Sequence, residues 1–226
     1  MQSRNLLLKN IGFILQARMG SNRFPGKVMK LINSIPMISQ VTNQISYSIH
    51  SKNIVVATTK NNEDDSIETY LKEKKIQVFR GNDLDCLDRY YECAKLYNFS
   101  IIVRITCDNP LIDPTLIDDV IEIFLNNQYD YVTNCKPRTF PQGTEVEVFS
   151  FKALEKAWNE ASKLSEREHV TPYFYNNLNK FKIFNVTNQN DLSKYRWTVD
   201  TKEDLEFVKT IYLKIKKFPI MTNDIL

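Results

Sequence analysis

Three short runs of almost unbroken apolar side chains, Ile11–Leu15, Ile54–Ala57 and Ile101–Ile105, constrain the fold of this chain more than any other feature. A strand with one wet face alternates apolar and polar residues, so runs like these read as strands covered on both faces. Helical patterns separate them. Ser34–Ser48 carries Ile38, Val41 and Ile45 on one face with Pro36 near its start; Asp64–Lys75, Leu84–Tyr97 and Pro114–Asn126 follow. Strand and helix therefore alternate, which predicts parallel βαβ units with right-handed crossovers: an α/β fold with a mostly parallel central sheet flanked by helices. Ligands of such sheets bind beyond the carboxyl ends of the strands.

After Tyr129–Thr133 the rhythm changes, to an alternating strand at Glu145–Phe149 and two helical stretches between Phe151 and Leu178. This segment, about residues 134–190, reads as a small acceptor-side elaboration. Strands at Lys182–Val186 and Arg196–Val199 and a closing helix at Lys202–Lys216 return to the core. A length of 226 residues fits one domain over 1–226. Charged residues at 25% and apolar ones at 42% suit a soluble protein, and no apolar run approaches the roughly 18 residues of a membrane span, so no membrane partner is expected. Leu6–Leu8 lacks a small-residue cleavage site behind it, so a cytoplasmic address is expected rather than secretion. The cysteines, Cys86, Cys93, Cys107 and Cys135, show no C-x-x-C spacing, which predicts free thiols. A net charge of +3, spread along the chain, argues against polymeric nucleic acid as a partner. The Lys-rich stretch Lys209–Lys217 reads as a solvated helix face.

Directly behind the first strand comes Gln16-Ala-Arg-Met-Gly-Ser-Asn-Arg-Phe-Pro-Gly-Lys27. The whole chain has five glycines, and Gly20 and Gly26 fall here, where a backbone free to take positive φ can turn N–H groups toward a phosphate. Arg18, Arg23 and Lys27 add full positive charges, and guanidinium forks match phosphate oxygens. This is an anion-binding loop of neither common type. Lys27 is followed by Val28 where a Walker A loop needs Ser or Thr, and Gly-x-Gly-x-x-Gly is absent.

The third strand leads into Thr106-Cys-Asp-Asn-Pro-Leu-Ile-Asp113, placing Asp108 just past a strand end, and Trp197-Thr-Val-Asp200 repeats the arrangement. Two strand-end carboxylates beside a phosphate loop are what Mg²⁺ needs when phosphate oxygens supply its other ligands. Asp200 would serve equally as a helix cap, and Asp113 before Pro114 reads as a cap. Arg80, Asp88 and Arg89 flank an acidic turn where they could touch a base or ribose, although an acid at a helix start also suits the helix dipole. Arg104, inside an apolar strand, needs an anion, either at the site or from Asp88. His169 could orient a second substrate or simply pack.

The loop Gln16–Lys27, together with Val56–Thr59, Leu87–Tyr91, Arg104–Asp113, Glu166–Pro172 and Arg196–Asp200, resembles the spore coat polysaccharide type of cytidylyltransferase, related to the acylneuraminate and 3-deoxy-manno-octulosonate cytidylyltransferases. The likeness runs from about Ile11 to Tyr212. It implies a Rossmann-like sugar-nucleotidyltransferase fold, CTP as donor, an acidic sugar or sugar-phosphate-like acceptor, Mg²⁺, and a homodimer. By motif position, Arg18 and Lys27 would hold the triphosphate with Arg23 assisting, within a loop that includes Gln16, Ala17, Gly20 and Ser21. Asp108 and Asp200 would hold metal, Thr58 and Arg80 would lie near base and ribose, and Glu145, Glu147 and His169 would face the acceptor. Asn22, Phe24, Asn109 and Gln142–Glu145 depart from the family pattern, the last on the acceptor side. Rival readings are a guanylyl- or uridylyltransferase acting on a sugar 1-phosphate, a glycosyltransferase using Asp83-Leu-Asp85 for metal, and a non-catalytic nucleotide-binding subunit.

Overall fold

The computed structural model describes residues 10–226; the Leu6–Leu8 patch lies outside the described residues. The chain order is β1 (Ile11–Gln16), β2 (Leu31–Ile32), β3 (Ile35–Pro36), α1 (Met37–Ile45), β4 (Ile54–Thr59), α2 (Asp65–Glu73), β5 (Gln77–Gly81), α3 (Cys86–Leu96), β6 (Ile101–Thr106) and α4 (Pro114–Asn126). It continues with β7 (Tyr131–Thr133), β8 (Glu147–Ser150), α5 (Phe151–Glu160), α6 (Leu164–His169), α7 (Pro172–Asn176), β9 (Ile183–Asn185), α8 (Lys202–Lys214) and α9 (Thr222–Ile225).

The main sheet has the order β5-β4-β1-β6-β8-β7-β9. β5, β4, β1 and β6 run parallel, β8 is antiparallel to both β6 and β7, and β9 returns parallel to β7. The strand period of two assigns each face its own core. Phe13, Leu15, Val103 and Ile105 pack with α1, α2 and α4 residues on one side, while Ile14 and Ile102 pack with α3, α5 and α7 residues on the other. A third cluster joins Trp197, Val199 and α8 to Ile32 and Met37. The strand order departs in opposite directions from β1, to β4 on one side and β6 on the other. That switch point opens a crevice beyond Gln16 and Thr106, where such sheets bind ligands.

Several boundaries differ from the sequence expectation for local reasons. The first helix begins at Met37 rather than Ser34, because Asn33 and Ser34 both take positive φ and turn β2 into β3. The third begins at Cys86, where the Asp85 side chain accepts the Asp88 N–H as a cap. Phe151–Leu178 holds three helices rather than two: Val170 takes φ +71° and ψ −57°, and Thr171 N–H bonds to the His169 carbonyl at 2.8 Å, which breaks α6 from α7. The closing helix stops at Lys214. β5 had no apolar run to announce it, since Gln77, Arg80 and Gly81 interrupt a strand at the sheet edge. Arg196–Val199 is not a ladder strand; it makes one parallel bridge, Gln142 with Arg196, and then hydrogen-bonds to Asp108.

Candidate active site

The loop after β1 is held from inside. The Met19 carbonyl accepts N–H bonds from Ser21 at 2.8 Å and Gly26 at 2.9 Å, and Gly26 takes φ +67°, so the loop closes at a residue that only glycine enters cheaply. Gly20 does not take positive φ; it leaves room for the Glu63 carboxylate, 2.6 Å from where a Cβ would stand. Met19 N–H bonds to Asp64 at 2.7 Å, and Asp64, fully buried, also accepts the Thr58 and Thr59 hydroxyls. Asp64 thereby ties the loop to the end of β4. The N–H groups of Arg18, Gly20 and Asn22 have no hydrogen-bond partner among the described residues, which leaves them as donors for an anion.

Lys27 starts the helical turn that follows and is buried. Its ammonium bonds to Asp108 at 2.7 Å, to Asp200 at 2.8 Å and to the Val199 carbonyl at 2.9 Å. All its donors are engaged. Asp200 is also met by Arg23 at 2.9 Å and Arg196 at 2.8 Å. Burial alone would raise the Asp200 carboxyl pKa, but the Lys27 and Arg196 hydrogen bonds and the Arg23 charge outweigh it and hold the group below the usual carboxylate range. Asp108 accepts the Thr106 hydroxyl on its other oxygen.

Backbone bonds deliver Asp200 to this place. Val199 N–H donates to the Asp108 carbonyl at 2.8 Å, and Trp197 N–H to the Gln142 carbonyl at 2.6 Å. Gly143, at φ +103°, allows that approach: a Cβ there would stand 2.4 Å from the Thr198 nitrogen. Asp200 is not the helix cap weighed from sequence, because Thr201 and Asp204 form the capping box of α8. Asp113 does cap α4, accepting the Thr115 N–H. Asp108 and Asp200 are hard oxygen donors converging on one cation, which suits Mg²⁺ bound through few protein ligands. No cluster of three metal-ligating side chains exists among the described residues, so any such ion would depend on phosphate and water for its remaining ligands.

Around this pair lies a cleft of about 290 Å³, and beside it a second cavity of about 320 Å³. The two share Arg23, Thr106, Asp108, His169 and Asp200, so the carboxylate pair stands at their junction. Gln16, Ala17, Arg18, Ser21, Lys27 and Arg89 line the first. Arg104, Glu145 and Glu147 line the second.

Of the residues expected at the nucleotide, Gly20, Thr58, Arg80, Asp88 and Arg104 do not line the cleft. Thr58 is buried against Asp64; Arg80 bonds to Asp65, Glu68 and two backbone carbonyls beside α2; Asp88 accepts the Trp158 indole N–H at 2.9 Å. Arg89 reaches the cleft while its guanidinium holds the Asn82 and Asp83 carbonyls. Arg104 pairs not with Asp88 but with Glu147, its cross-strand neighbour on β8, and also bonds to Gln16 at 3.0 Å. Burial would lower the Arg104 pKa, and the Glu147 charge and hydrogen bond together with the Tyr90 and Cys86 groups outweigh it, so the net shift is upward. The Tyr131 hydroxyl donates to Glu147 as well. Asp85 caps α3 and pairs with Arg167, and Asp83 stands 3.7 Å from Arg18 and accepts from Asn61, so both members of Asp83-Leu-Asp85 have protein partners. Thr106, Cys107 and Asn22 in the cleft, and Lys136, Thr171, Tyr175 and Thr198 in the second cavity, were not picked out from sequence. The signal was position: Thr106 and Cys107 lie at the strand end, Asn22 in the anion-binding loop, and Thr171 and Thr198 within the motifs Glu166–Pro172 and Arg196–Asp200. For Lys136 and Tyr175 there was none, because their convergence depends on loops that meet only in the fold.

The sequence model of a family described as cytidylyltransferase matches residues 12–220. A solved cytidylyltransferase from Leptospira borgpetersenii serovar Hardjo-bovis is 39% identical, with TM-score 0.92, covering 96% of this chain and 92% of that one. The spore coat polysaccharide biosynthesis protein SpsF of Bacillus subtilis is 32% identical over 94% of this chain and 90% of its own length. A CMP:2-keto-3-deoxy-manno-octonic acid synthetase solved with CTP superimposes with TM-score 0.69 at 16% identity, over 91% of this chain and 99% of that one, a likeness of fold.

Proposed function

The chain belongs to the cytidylyltransferase family, and from that premise we propose that it transfers CMP from CTP to an acidic sugar or sugar-phosphate-like acceptor, releasing pyrophosphate, in surface polysaccharide or glycoconjugate biosynthesis. The observation that carries this reading is the position of Asp108 and Asp200, bridged by Lys27 where the loop-lined cleft meets the second cavity. The cleft is assigned to CTP and the second cavity to the acceptor. The whole chain acts as one nucleotidyltransferase domain, with about 134–190 choosing the acceptor. The reading includes a cytoplasmic homodimer, and no helix among the described residues is long and apolar enough to cross a membrane.

In the proposed reaction an acceptor hydroxyl oxygen attacks the α-phosphorus and gives its proton to solvent, the bond to the bridging oxygen breaks, and pyrophosphate leaves with the electron pair. Such chemistry depends mainly on positioning and charge neutralisation. Arg18, Arg23 and the unpartnered loop N–H groups bind the phosphates and take up charge on the leaving group. Lys27 holds Asp108 and Asp200 adjacent, and His169, shared by both cavities, orients the acceptor. Asp108 and Asp200 would hold Mg²⁺, which when bound supplies charge neutralisation across the phosphates.

Pyrophosphate release tests this, with CTP, UTP, GTP or ATP offered with sugar acids and sugar phosphates. CTP-specific, Mg²⁺-dependent release that D108N abolishes while remaining folded is expected. Turnover with UTP or GTP alone would move the protein to the rival transferase class, and full activity in D108N would remove the metal assignment.

A further inference from the structure

The second cavity holds several charges, and most are already matched. Arg23 is bonded to Asp200 and Arg104 to Glu147, while Arg138, behind the wall, is bonded to Glu145. The carboxylates are equally engaged: Glu145 also accepts from Asn109 and the Gly143 N–H, and Glu147 from the Tyr131 hydroxyl. Lys136 is the exception. Its ammonium makes no ion pair among the described residues and stands 3.5 Å from the centre of the Tyr175 ring, another wall residue. A π-face orients a cation without cancelling its charge.

We propose that Lys136, steadied over Tyr175, binds the anionic group of the acceptor and so selects acidic acceptors over neutral ones. The inference rests on assigning this cavity to the acceptor. The turn carrying Lys136 is fixed: its N–H donates to the Asn185 side chain at 2.8 Å, Asn185 donates back to the Pro137 carbonyl at 3.0 Å, and Cys135 bridges Arg138. The lysine is thus anchored from β9 and not from the carboxylate pair. Thr171, Thr198 and Gln142 on the same wall supply neutral donors and acceptors for hydroxyl groups. The site therefore fits a polyhydroxylated acceptor with its nucleophilic oxygen near Asp108 and Asp200 and its acid at Lys136. An ammonium is a compact point charge and serves carboxylate or phosphate alike.

The test is steady-state pyrophosphate release by the full chain with CTP and Mg²⁺, using matched acceptor pairs: a sugar acid and its methyl ester, a sugar phosphate and the free sugar. Turnover is expected only with anionic members, and whichever pair is used identifies carboxylate or phosphate. K136M should raise the acceptor KM about 10- to 100-fold, leaving kcat and the CTP KM within about twofold, and K136R should recover part of the loss. Equal use of neutral members, an unchanged acceptor KM in K136M, or an equal rise in the CTP KM overturns the inference. CTP binding measured alongside keeps two failures apart. A wild-type chain that binds no CTP contradicts the donor-site reading and removes the inference with it, whereas normal CTP binding with an acceptor KM indifferent to Lys136 overturns the inference alone.

Discussion

Lys27 was read from sequence as a phosphate ligand, and its donors are in fact shared among two carboxylates and a carbonyl. Removing it leaves Asp200 buried with only Arg23 and Arg196, and Asp108 without its cation. Breaking one partner of a buried pair costs about 3–5 kcal/mol, and the remaining arginines put K27A near the lower end of that range. Urea denaturation checks this, and an unchanged midpoint would mean the bridge contributes nothing to stability. In the proposed reading, direct contact with phosphate is assigned to Arg18 and Arg23, both substantially exposed. R18A should weaken CTP about 10-fold and CMP far less; equal losses in calorimetry would place Arg18 away from the leaving phosphates. What made Arg18, Arg23, Asp108 and Asp200 legible is local: cations beside glycines, and acids at strand ends. The partner of Arg104 was not legible, because Glu147 reaches it only through the antiparallel register of β8 on β6, across 43 positions.

Elements carry the next layer, since Asp200 is positioned by Arg196–Val199 lying against Gln142 and Asp108. Gly143 sets that contact, so G143A should push the Thr198 backbone away and separate the carboxylates. A fall in kcat of at least about 10-fold is expected with circular dichroism unchanged, as small misplacements of reacting groups cost that much or more; wild-type kcat would show that the approach is dispensable. The start of α8 has its own pH signature. Burial would raise the Asp204 pKa, but bonds from Arg196 and from the Asp200 and Thr201 N–H groups win and lower it. A carboxylate depressed in the fold adds stability above its unfolded pKa of about 3.9, and that share is lost as pH falls through the lower folded value. Between about pH 5 and pH 2 the wild type should lose stability more steeply than D204N, measured by denaturant midpoints; parallel slopes would contradict the assignment. The two strand errors run in opposite directions: β5 escapes a sequence reading because an edge strand lacks a continuous apolar run, whereas Arg196–Val199 reads as a strand but pairs only at a single bridge.

For the whole molecule, the parallel half of the sheet was legible because strands covered on both faces must be apolar throughout, and β1, β4 and β6 obey that rule. The second half was harder. β7, β8 and β9 are short, and the helices beside them are broken by the turn at Val170. The cleft assigned to CTP draws mainly on the first half and the cavity assigned to the acceptor on the second, so the lining residues of the first cleft were the more legible in the sequence. The most direct test of the central claim is calorimetric titration of the protein with CTP, GTP, UTP and ATP, with and without Mg²⁺. The account predicts selective binding of CTP that strengthens with Mg²⁺ and is weakened by D108N. Equal affinity for all four nucleotides, or CTP binding indifferent to both Mg²⁺ and Asp108, would contradict it.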